Sequence, residues 1–200
     1  MTGPIGWMAD YAARHGFRYE PDADERWMRA WEPYTTVKVP TRYEHALQAT
    51  GDHASMTLAR MVMSFETVHA GVTHTHEASA WIAIAQDVRM DSVAAATSDP
   101  GRTFGESFDL VSMPRRPTGD RVFDGSFATF SPTAEELARA IGPSLRKLAL
   151  GWRIPLHFEL RKGGFVIAPV TLAPNAEGLS WLVHAVHLFS EKATKHRASG

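Results

Sequence analysis

The sequence predicts an α+β fold: an antiparallel sheet, built from a meander plus a C-terminal hairpin, packed with about four helices. Three observations carry this. Three extended runs follow one another between residues 43 and 88 with short connections, whereas parallel pairs would each need a crossover of about a dozen residues. A hairpin pattern comes later, where His157, Glu159 and Arg161 alternate with Phe158 and Leu160. An amphipathic run over 178–195 then closes the chain, with Trp181, Leu182, Ala185, Leu188 and Phe189 toward the core.

Taken in order, the first element is a helix over 5–15, where Trp7, Tyr11 and Ala12 share a face. Gly16 stands where a left-handed cap is expected. Asp22 with Glu25 reads as a capping box. The helix it opens sets Trp27 and Trp31 one turn apart, and Pro33 ends it. Tyr43 to Thr50 is the first strand, with a turn at Gly51-Asp52. Ser55 to Val68 is the second, with Met56, Leu58 and Val62 on one face and Ala59, Met61, Met63 and Phe65 on the other. Apolar residues on both faces describe a central strand covered on both sides. Met and Ala also favour helix, so a helix over 54–65 is the competing reading. Ala78 to Val88 is the third strand.

Residues 90–120 hold Asp99-Pro100-Gly101, Met113-Pro114 and Pro117-Thr118-Gly119. That density of breakers predicts a long irregular connection, and it is where a single domain over 1–200 would divide into subdomains. A short aromatic strand over 122–130 leads into a helix capped by Ser131 with Pro132, or by Thr133 with Glu136. Gly142-Pro143 kinks or divides that helix, and Leu145, Leu148 and Ala149 continue its stripe. The hairpin of 156–161 and 165–172 turns at Gly163-Gly164.

Composition narrows the function classes. Twenty-one Lys and Arg face twenty-two Asp and Glu, for a formal charge of −1, so no concentrated positive face invites nucleic acid or an anionic membrane. With no cysteine, disulfides, thiolate metal sites and cysteine nucleophiles are excluded, and a reducing, cytoplasmic setting is expected. No secretory signal is visible, and no window approaches the ~18 apolar residues of a membrane helix.

The C-terminal pattern also resembles an uncharacterised bacterial domain family in which an Asp-containing aromatic strand precedes a helix, a Phe-rich hairpin and a closing helix. The matching residues are Phe123-Asp124, Phe127, Ser131, Ala138, Pro143, Leu145, Leu148, Phe158, Gly163 and Ile167-Ala168, over about 121–172. The resemblance implies an α+β domain and no known activity.

The sharpest chemical feature is the run from His69 to Glu77. On a strand, His74 and His76 at i and i+2 point to one face and could reach one divalent ion, with His69 or Glu77 as a third ligand if the hairpin brings it round. Imidazole suits zinc, iron, copper or nickel. Glu77 falls on the opposite face, and Ala78 and Ser79 stand where a His-x-His-x-Asp-His hydrolase would carry Asp and His. The plainer reading is a polar, solvated hairpin tip. His184, His187 and Glu191 share a helical face at i, i+3 and i+7, and read as the polar edge of the last helix. The six Trp and eight Met could line an apolar pocket near Trp81 or Trp181. No serine sits in a nucleophile elbow, and no phosphate or dinucleotide loop is present. The expectation is a non-catalytic cytoplasmic domain without a cofactor, acting through a protein partner or self-association. The alternative is a metal protein using His69, His74 and His76.

Overall fold

The computed structural model describes residues 5–32, 40–51, 54–98, 113–169 and 172–195. Its elements are α1 (Gly6–His15), β1 (Arg18–Asp22), α2 (Glu25–Ala30), β2 (Arg42–Thr50), β3 (Ala54–His69), β4 (Val72–Asp87), β5 (Ala94–Ser98), α3 (Arg121–Ser126), β6 (Phe127–Phe130), α4 (Ala134–Ala140), α5 (Pro143–Trp152), β7 (Leu156–Arg161), β8 (Gly164–Pro169) and α6 (Ala176–Lys195). The eight strands form one antiparallel sheet in the order β1-β2-β3-β4-β8-β7-β5-β6. The α+β expectation holds, with the meander and the hairpin side by side.

Period-2 alternation sends two apolar sets to opposite faces of this sheet. One face carries Leu58, Trp81, Phe158, Phe165 and Ile167, under α1, α3, α4, α5 and α6. Phe189 of α6 anchors it, its ring centroid 4.6 Å from Phe165 and 5.1 Å from Phe158. Burying each such ring stabilises the fold by roughly 1.5–3 kcal/mol. The other face carries Ala59, Ile82, Ile84 and Val166, covered by Met28, Trp27 and Trp31 of the α2 region. Among the described residues, no helix is long and apolar enough to cross a membrane.

Several local expectations are corrected. The second helix is capped by Asp24, whose carboxylate accepts the Trp27 amide at 3.1 Å. Asp22 instead ends β1, an edge strand the sequence reading missed. Part of the expected long connection is strand: β5 pairs with both β6 and β7. The aromatic run expected as one strand is a helix followed by a strand. Asp120 caps α3 by accepting the Val122 and Phe123 amides at 3.1 and 3.2 Å, and only Phe127–Phe130 is extended. Thr133 caps α4, accepting the Glu136 amide at 3.1 Å, while the Glu136 carboxylate takes the Val93 amide at 3.0 Å. Gly142-Pro143 divides α4 from α5 as expected. The hairpin turns at Lys162-Gly163, since Arg161 pairs with Gly164. Pro33, the turn residue Asp52 and the breakers at 99–101 lie outside the described residues.

Candidate functional site

The β3–β4 hairpin runs far past its neighbours. Its pairing register is unbroken from Ala54↔Asp87 to His69↔Val72. The last β2 partner is Val62, and β8 first meets β4 at Ala83. Among the described residues, Met63–His69 and Val72–Ala78 therefore have no strand on their outer edges. They form a two-stranded arm roughly 20 Å long at ~3.3 Å per residue. The third strand thus begins at Val72, earlier than the expected Ala78, and β3 is covered on both faces only as far as Val62. Every residue from Ser64 to Ala78 is exposed. Three large apolar side chains stand among them: Phe65 (50% exposed), Val68 (71%) and Val72 (57%).

A two-stranded ribbon alone is marginal in water, so its base matters. The Arg42 guanidinium forks onto Glu77 at 2.8 and 3.1 Å and reaches Glu44 at 3.3 Å. Glu44, whose side chain is almost fully buried, also accepts from Arg60 Nε at 2.8 Å and from Arg60 Nη2. Arg42, donating to Glu77, holds that carboxyl below the usual carboxylate range and is itself raised by the same bond. The Ser64 amide donates to Thr41 Oγ1 at 2.9 Å. Beside this network β2 bulges between Glu44 and Leu47. There His45 adopts φ +55°, and its Nδ1 lies 2.8 Å from the Tyr19 hydroxyl. Burial pushes the His45 imidazole pKa down.

At the tip, Ala70 and Gly71 both have positive φ, +50° and +80°. This is the two-residue hairpin geometry whose twist matches the strands, and the alanine carries its strain. On the arm, His69, His74 and His76 do share one face, together with Phe65, Thr67 and Val72, while Glu77 lies on the other. His76 stacks on Phe65 at 5.5 Å, lies 6.5 Å from His74, and its Nε2 meets Thr67 Oγ1 at 2.8 Å. Among the described residues, no three His, Asp or Glu side chains are grouped to hold a metal ion. His184 and His187 diverge, His184 bordering a groove with Trp152 and Trp181 and His187 a cleft against the sheet. Trp81 is wholly buried, its indole donating to the Ala173 carbonyl at 3.1 Å.

One polar constellation was missed in the sequence. His157, Glu159 and Arg161 lie on the α2 face of β7, and the first two are fully buried. Glu159 Oε1 lies 2.7 Å from His157 Nε2, and Oε2 accepts from Arg161 Nε and Nη2 at 3.1 and 2.8 Å. Arg161 donates onward to the carbonyls of Ala30 and Glu32 and sits 5.6 Å from the Trp31 ring centroid. The network fastens the end of α2 to the sheet. Its signal was available: an imidazole, a carboxylate and a guanidinium at i, i+2 and i+4 on a strand of otherwise core composition.

No family model matches the chain, and no curated protein matches it. Among solved structures, it is similar to the crystal structure of the mycobacterial trehalose monomycolate transport factor A, TtfA, with 13% identity and a TM-score of 0.63 over 94% of this chain and 92% of that one. At that identity the likeness is one of fold.

Proposed function

We propose that this chain is a non-catalytic binding domain that docks onto a protein partner through the β3–β4 arm. The observation that carries this is the uninterrupted exposure from Ser64 to Ala78 on a ribbon that has, among the described residues, no strand on either outer edge and carries three outward apolar side chains. An open edge offers main-chain hydrogen bonds to an added strand, and alternate side chains supply selectivity. Soluble proteins seldom leave a long edge bare. Two further points support the reading. The similar structure is named for transport, without reference to a reaction, and the bacterial family that residues 121–172 resemble has no known activity. The absence of cysteine fits a cytoplasmic setting.

Full coverage of an apolar side chain contributes about 1.5–3 kcal/mol. Phe65 and Val72 share one face of the ribbon and Val68 lies on the other, so, scaled by exposure, a partner covering the Phe65 face gains about 2 kcal/mol, roughly thirtyfold in affinity, and one that wraps the ribbon gains more. The test is a Phe65→Ser, Val68→Thr, Val72→Thr variant compared with the parent in affinity purification at near-native expression. A partner recovered with the parent and lost with the folded variant is the expected result. Equal recovery from both overturns the arm as the docking element.

A further inference from the structure

At the end of the sheet remote from the arm tip lies a cleft of about 510 Å³, within the 300–1,000 Å³ typical of ligand pockets. We propose that it binds an amphiphilic anion: an apolar chain bearing one carboxylate-like head. Its walls are apolar. Phe17 follows α1, Met56 comes from β3, and Val183 and Val186 come from α6. Its nitrogen donors are His15, His187 and Arg89, its hydroxyls are Thr50, Ser55 and Ser190, and there is no carboxylate among the described lining residues.

Arg89 is built into place. Its Nε and Nη2 fork onto Asp87 at 2.8 and 2.6 Å, and Nη2 also reaches Ser190 Oγ at 3.2 Å, which donates to Asp87 at 2.9 Å. Asp87 is fully buried as a side chain, while Arg89 is half exposed. This clamp joins the end of β4 to α6 and fixes the guanidinium at the cleft. The remaining amino group, Nη1, has no hydrogen bond among the described residues. Asp87 balances the charge of Arg89, so the head group is recognised through directed donors: Nη1 and the two imidazoles. A neutral head leaves those donors less well matched than an anionic one, because hydrogen bonds to an ionised acceptor are about twice as strong.

The occupant chosen for the test is decanoate, with decanol as its neutral counterpart, each titrated below its aggregation concentration into the full chain and followed by amide and side-chain NMR shifts. Saturable shifts at Phe17, Val183, Val186 and His187, at least tenfold tighter for decanoate than for decanol, are expected. Ala54→Trp plugs the mouth from the first residue of β3 and should abolish them. Thr50→Trp on the facing strand is the second plug if the first fails to fold. No saturable shift at these residues, equal affinity for the alcohol, or undiminished binding in a folded plugged variant overturns the proposal. All three readouts are independent of the arm, so failure of the docking reading leaves this one standing.

Discussion

Gly164 gives a direct test of how the second face of the sheet is assembled. It is the first residue of β8, paired with Gln86 of β4, and Trp31 lies over it. A Cβ placed there would collide with the Ala85 carbonyl oxygen and come within 2.9 Å of Trp31 Cη2. Neither neighbour yields easily. The carbonyl belongs to a central strand, and Trp31 is held under the Arg161 guanidinium. Gly164→Ala should therefore cost about 3 kcal/mol, the upper end of overpacking penalties, or a fall in Tm of about 6–12 °C at this chain length. Gly163→Ala is the control. Its φ is +85°, but a Cβ there meets nothing within 4 Å, so only left-handed strain of about 1–2 kcal/mol applies. Urea unfolding of both variants, read by tryptophan fluorescence, decides the matter. If Gly163→Ala proves the more damaging, Gly164 is a turn residue and Trp31 does not pack closely over it.

Three further outcomes follow from the arm and its base. Ala70→Asn replaces an alanine at φ +50° with a residue that tolerates that conformation, and should slow hydrogen exchange along Met63–Ala78, equivalent to about 1 kcal/mol; unchanged exchange would remove the strained tip. Glu44→Gln leaves the shape but takes the charge from between Arg42 and Arg60. It should cost about 2 kcal/mol and speed exchange in the arm more than in β7 and β8, whereas uniform acceleration would uncouple this network from the arm. For His45, burial lowers the folded pKa below the unfolded value. Below the unfolded pKa of about 6.5 the unfolded chain takes up more protons, so this contribution to stability is present above that pH and lost as pH falls. The stability difference between the parent and His45→Asn, measured by urea unfolding at pH 7 and pH 5.5, should shift toward the variant at the lower pH; a difference independent of pH contradicts the depressed imidazole.

What was legible in the sequence was whatever one periodicity governs. Tyr43–Thr50, most of β3 and both strands of the C-terminal hairpin read as strands because they are short extended runs bounded by turn residues, although β7 and β8 are buried on both faces. The arm read less well: its outer strand, Val72–Ala78, has Thr, His and Glu where a packed strand would carry apolar residues, so its extension was invisible although its register is continuous. β1 contains Pro21 and three charges, a composition that only an edge strand tolerates. α3 was hidden by Val122 and Phe123, which favour strand locally, while the Asp120 cap and burial of Phe123 decide for helix. Of the candidate residues, the shared face of His74 and His76 was legible from strand geometry, but the place of His69 on that face and the Thr67 and Phe65 contacts of His76 depend on pairing across the hairpin. The buried His157–Glu159–Arg161 row was hidden because alternation alone reports two faces without saying that both are covered.

The most direct measurement of arm-mediated docking is site-specific photo-crosslinking in cells, with the photoreactive residue at Phe65 in one strain and at Val122 in another. Val122 is 68% exposed on α3 and controls for exposure alone. The account predicts one discrete adduct from position 65, lost when Val68→Thr and Val72→Thr are added, and none from position 122. An adduct from 122 with none from 65 would contradict it.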